Sequence, residues 1–190
     1  MKSPVSTQAG FTLIELLIAL VILGLLASVI LPNFSGDATK GKVLFSTMSE
    51  MGNAMVRMKL DTGCYPTRLD GLFVQSVNTA ANSFCGQDMT AEWKGPYTRP
   101  FQVNAGGAAS LNNISTNVAA QIGSMPGGVG TIYYIQAINV PNAIIHEAMM
   151  ACNGADNTGA ATFADSKCIG SPGTGTTRTG TFSIQIDQTR

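Results

Sequence analysis

The sequence predicts an α+β protein: a long amino-terminal helix, apolar in its first half and amphipathic in its second, followed by a head that carries antiparallel strands. Three observations lead there. An apolar run whose only charged residue is Glu15 covers Phe11 to Leu31. Apolar residues then recur at spacings of 4, 3, 4 and 3 from Leu44 through Met48, Met51 and Met55 to Met58, one face of a helix. Near the carboxy end, residues 131–138 and 181–187 have strand composition. The 190 residues make about one domain, and 11 basic and 11 acidic side chains leave only 12% charged residues, roughly half the usual density. Lysines and arginines are scattered singly, without the clusters and interleaved aromatics of a phosphate-tracking groove, so no specific nucleic-acid partner is expected.

The apolar run is 21 residues long; as a helix it would cover about 30 Å, the thickness of a bilayer's hydrocarbon core. A secretory signal peptide has a shorter run with its small-residue cleavage site on the far side. Here the small pair Ala9-Gly10 lies before the run, after a polar leader, MKSPVSTQAG, whose only charge is Lys2. Cleavage after Gly10 would leave the helix on the protein and turn Phe11 into a new cationic terminus, one helical turn from Glu15. A carboxylate in hydrocarbon costs on the order of 2.5–3.5 kcal/mol, so it is expected to have a partner and a role. Nothing basic lies between Phe11 and Leu31. The Phe11 amine of a neighbouring chain is therefore the expected partner, because pairing within one chain would not explain why the segment is processed.

Gly10-Phe11-Thr12-Leu13-Ile14-Glu15 followed by an unbroken apolar stretch resembles the prepilin signature of type IV pilins and of the related pseudopilins of type II secretion, over roughly residues 1 to 60. The resemblance implies a leader, 1–10, removed by a prepilin peptidase, and N-methylation of Phe11. It implies a half helix, 11–35, that sits in the inner membrane and then in a filament core, and a globular head, 36–190, whose own half helix runs to about 61. A kink at Pro32 is expected, with local unwinding between Pro32 and Gly41. Mature subunits would polymerise, through inner-membrane assembly machinery, into a homo-oligomeric helical filament in which Phe11 and Glu15 set the register. The leading expectation is a type IV pilus subunit displayed on a bacterial surface; the alternative is a type II secretion pseudopilin or a minor pilin. No enzymatic role is expected.

The methionine stripe is expected to be head core rather than a cofactor groove. Gly36-Asp-Ala-Thr-Lys-Gly41-Lys42 has the spacing of a phosphate-cradling loop, but Val43 replaces the magnesium-binding Ser or Thr and no strand precedes it. KLDTGCYPTRLDGL, residues 59–72, reads as a helix exit, with Gly63 available for a left-handed conformation and Pro66 blocking continuation. It also resembles the post-helix segment of major pseudopilins. Residues 73–130, rich in Asn, Gly, Ala, Ser and Thr, read mostly as loop with short strands or turns. TIYYIQAI, 131–138, is a strand. NVPNAIIHEAMMACNG reads as a short helix with Pro141 in its first turn and Asn153-Gly154 at its end. In TFSIQID, 181–187, Phe182, Ile184 and Ile186 alternate inward.

Cys64, Cys85, Cys152 and Cys168 form no C-x-x-C pair and accompany a single histidine, His146, which disfavours zinc. Two disulfides in an oxidising compartment are expected. Three connectivities are possible; the local one, Cys64 with Cys85 and Cys152 with Cys168, is preferred because each bridge encloses a polar loop. His146, with no nucleophilic partner in sight, reads as a packed or surface residue. Asp156, Asn157 and Asp165 are weak calcium candidates, since their spacing does not match an EF-hand and the segment is equally a solvated disulfide loop; no other cofactor is expected. The resemblance implies an antiparallel sheet wrapped on the helix, with the second disulfide loop on the filament surface. The late cysteine pair resembles type IVb-like heads, whereas the short leader and Phe11 resemble type IVa.

Overall fold

A computed structural model describes residues 13–30, 36–156, 158–159, 162–176 and 178–189. The chain divides into two units, Met1–Ser35 and Gly36–Arg190. In the first, helix α1 spans Leu13–Ile30. Apart from Glu15, its described side chains are apolar on every side, and all are exposed, the large apolar ones from Leu13 at 89% to Ile18 and Ile22 at 51%. Among the described residues no helix is long and apolar enough to cross a membrane; the expected span, 11–31, reaches past them at both ends. Gly10, Phe11 and Pro32, and with them the cleavage, methylation and kink expectations, lie outside the described residues.

The second unit begins with helix α2, Gly36–Thr62. Its inward face is the predicted stripe: Leu44, Met48, Met55 and Met58 are fully buried and Met51 nearly so. Unbranched methionines fill the uneven gaps between helix and sheet at little rotamer cost. The expected unwinding toward Gly41 is corrected for residues 36–41, which are helical. Gly41 is a packing residue: an added Cβ would stand 2.4 Å from Glu147 Cβ and 2.8 Å from the Ala148 nitrogen. The same helical geometry removes the phosphate-loop resemblance, because Gly36 to Lys42 is a stretch of helix and not a loop that could wrap a phosphate. The helix ends as expected at Gly63, φ 78°, whose amide donates to the Lys59 carbonyl at 2.7 Å.

The post-helix chain runs through short 3-10 turns, Leu69–Leu72, Gln75–Val77 and Ala80–Asn82, and reaches a five-stranded antiparallel sheet. Its strands are β1 (Ala109–Ser110), β2 (Ala119–Pro126), β3 (Thr131–Pro141), β4 (Cys168–Ser171) and β5 (Thr179–Thr189), in the order β1-β2-β3-β5-β4. Helix α3, Asn142–Asn153, follows β3 directly. Pro141 is the last residue of β3, one position before the helix rather than in its first turn; Gly154, left-handed at φ 72°, ends it. β2 is a regular strand inside the stretch read mostly as loop. Ile135, Ala137, Phe182 and Ile184 line the core against α2 and α3, while Ile186 is only partly buried beside it.

Candidate functional site

Glu15 lies in the first turn of α1, exposed, where the unpaired amides and dipole of a helix start favour a negative charge. Leu13, Ile14, Leu16, Leu17 and Ile18 around it are all more than half exposed. A helix apolar on all sides is built to be surrounded by other apolar surface. Its single carboxylate is the one described side chain from Leu13 to Leu23 that can discriminate between positions along such surroundings.

The head turns its polar chemistry to holding loops on α2. Asp187, on β5, accepts hydrogen bonds from Lys59 Nζ at 2.5 Å and from the Tyr65 hydroxyl at 2.8 Å. Burial works against ionisation of Asp187, but the bonds from Lys59 and Tyr65 and the lysine's charge outweigh it and hold the carboxyl below the usual carboxylate range. Burial, followed by the Asp187 bond and charge, pushes the Tyr65 phenol well up. Lys59 also lies over the Tyr65 ring, and Tyr65 packs on Tyr133 with centroids 4.5 Å apart. At the next turn, Arg68 forms a two-point pair with nearly buried Asp70 and donates to the Ala105 carbonyl. Farther on, the Tyr97 hydroxyl donates to Asp61 at 2.9 Å, and Arg57 donates to the Tyr97 carbonyl at 2.7 Å. Spacing along the chain announced none of these partners.

The structure joins Cys64 to Cys85 and Cys152 to Cys168, so all four thiols are oxidised. The second bridge closes a loop that folds back on the sheet edge. The Gly159 amide donates to the Gly170 carbonyl, and Asn153 makes two bonds to the backbone of Cys168. Of the calcium candidates, Asp156 pairs with His146, Nδ1 to Oδ2 2.5 Å, and Asp165 accepts from the Thr162 hydroxyl. Asn157 lies outside the described residues. Partial burial raises the Asp156 pKa, but His146 and Thr158 outweigh it and the net shift is downward. Among the described residues no group of three His, Cys, Asp or Glu side chains is placed to hold a metal ion.

The chain matches the family described as the prokaryotic N-terminal methylation motif over residues 5–31, which takes in Gly10, Phe11 and Glu15. It is 42% identical over 67 residues to the type II secretion system core protein G of Aeromonas hydrophila, covering 34% of this chain and 47% of that protein. The corresponding protein of Escherichia coli (strain K12) is 40% identical over 67 residues, 34% of this chain and 46% of that one. That of Xanthomonas campestris pv. campestris is 28% identical over 99 residues, 51% of this chain and 62% of that one. The chain thus spans about half the length of the first two of these curated relatives. No solved structure gives a significant match. The amino terminus is of the prepilin type shared by pilins and pseudopilins.

Proposed function

We propose that this chain, with its prepilin-type amino terminus, is a structural subunit of a helical filament, and that the filament is the pseudopilus of a type II secretion apparatus. The observation that carries the proposal is the methylation motif over residues 5–31, which spans Glu15 and much of a helix whose described surface is otherwise apolar. The finer choice follows the relatives, which are core protein G of type II secretion. The surface type IV pilus, the leading expectation from sequence, becomes the second reading. One observation favours it: the matched 67 residues are 34% of this chain but 47% of the Aeromonas protein, so this head is the larger and has more surface to display.

In this reading the leader is removed after Gly10, and Phe11 becomes an amine that is then methylated. The helix waits in the inner membrane, where lipid already surrounds its apolar side chains. Leaving the bilayer would expose them to water, so the subunit moves directly into contact with the helices of subunits already assembled. Burying a leucine- or isoleucine-sized side chain is worth about 1.5–3 kcal/mol, and such residues line α1 on every side. Burial supplies cohesion but no register, since one leucine contact resembles another. Register comes from pairing Glu15 with the Phe11 amine of the neighbour. A desolvated pair adds little net stability, and its value lies in penalising every arrangement that leaves the acid alone.

Deleting the gene tests the assignment. A pseudopilin deletion retains secreted enzymes in the periplasm and leaves surface pili in place. Loss of surface fibres with normal secretion would overturn the type II reading in favour of the pilus.

A further inference from the structure

Helix α2 has a solvent face unlike that of an ordinary amphipathic helix. Val43, Ser46, Glu50, Asn53, Arg57 and Leu60 are all exposed and follow one another at spacings of 3 and 4 residues, which puts them in one stripe along the helix. A face meant only for water is normally crowded with lysine and glutamate. From Val43 to Leu60 this one holds two apolar residues, two small polar ones, one acid and one base, with exposed Lys42 as a second base at its start. Leu60 is 79% exposed. The neighbouring charges Lys59 and Asp61 are occupied inside the head, by Asp187 and by Tyr97 with Lys94. Glu50, in contrast, has no hydrogen bond or ion pair among the described residues. Arg57 spends one nitrogen on the Tyr97 carbonyl, which leaves its other donors available. Beside the two runs a groove of about 370 Å³ lined by Glu50, Asn53, Arg57, Tyr97, Thr98 and Arg99.

Glu50 and Arg57 are one heptad apart, so they point the same way with an axial separation of about 10.5 Å. We propose that this stripe is a seam on which a second copy of the chain packs in parallel, displaced by one heptad, so that Glu50 of one copy meets Arg57 of the next. Charge selects this offset. With no displacement the two acids face each other and so do the two bases; with a displacement of two heptads neither charge has a partner. An antiparallel pair would also match acid to base, but it closes on itself and cannot extend, whereas the parallel offset repeats without end. The proposal rests on the filament reading and adds to it a second register device, in the head, independent of Glu15.

The test uses the full-length chain expressed with its assembly genes. Glu50→Arg and Arg57→Glu should each lower fibre yield by roughly tenfold, because like charges then meet at every repeat. The double swap should raise it severalfold above the Arg57→Glu single variant, which shares with it the loss of the Arg57–Tyr97 bond. In the Glu50→Cys/Arg57→Cys variant, mild oxidation of fibres should give a ladder of covalent multimers. Wild-type fibre yield in both single variants, a double swap no better than Arg57→Glu, or cross-linking that stops at dimers would each overturn the seam while leaving the filament reading intact. Absence of fibres from the unaltered chain would remove the filament reading, and the seam with it.

Discussion

Gly41→Ala isolates the closest approach between two helices of the head. Alanine in a helix interior is worth about 1 kcal/mol over glycine, so propensity alone predicts a more stable protein. At this position, however, the new Cβ stands 2.4 Å from Glu147 Cβ and 2.8 Å from two backbone atoms of α3. Neither the backbone nor a Cβ can turn aside, so α3 must withdraw by about an ångström to reach ordinary contact, which forfeits a quarter to a half of the dispersion attraction along that seam. Ile144, Ile145, Ala148 and Met149, all essentially fully buried, lose contact together. Overpacking of this kind costs about 1–3 kcal/mol; with the lost contacts added and the propensity gain deducted, the variant should be destabilised by about 1–2 kcal/mol. For a head of roughly 150 residues that lowers the melting midpoint by about 2–8 °C. Gly52→Ala is the control, since its Cβ meets only the side chain of Ile186, 2.3 Å from the flexible Cδ1 tip, and a rotamer change relieves it. Thermal and urea unfolding of the two variants should rank Gly52→Ala above Gly41→Ala. A Gly41→Ala head as stable as the parent would refute the close-approach argument.

Two further expectations concern what ties the loops down. Asp187→Asn should cost about 1–2 kcal/mol near neutral pH. Because the folded carboxyl titrates below its ordinary range, the stability it contributes is present above the unfolded value of about 3.9 and disappears as pH falls through the folded one. Parent and variant should therefore converge in acid, and a gap independent of pH would count against the ion pair. Removing the Cys152–Cys168 bridge by double serine substitution should cost about 3 kcal/mol, as expected for a loop of this length. It should also free the Gly159 amide to exchange faster with solvent, readable by hydrogen exchange; unchanged protection there would mean that the edge cover does not depend on the bridge.

The helix-based parts of this protein could be read in advance because their physics is local. The methionine stripe from Met48 to Met58 is a 3.6-residue period, and the Gly10-to-Glu15 motif is a contiguous string. β2 could not be read this way. Its sequence, AAQIGSMP, has a single β-branched residue, Ile122, and no aromatic one, too little to mark a strand, and its conformation comes from pairing with β3. There Tyr134 lies opposite Gly123, with its ring over the space where a Cβ would stand. The Lys59–Asp187 bond was equally hidden, because its partners are 128 residues apart and neither carries a local mark. The role of Gly41 is hidden for the same reason: alone in a helix it is a weak point, and only α3 makes it a contact.

The most direct test of the account is the intact mass of the main subunit in filaments isolated from cells that express the chain with its assembly machinery. The account predicts a chain beginning at Phe11, carrying one added methyl group and two disulfides, as the repeating component of the fibres. Filaments built from another protein, with this chain retained at full length from Met1, would contradict it.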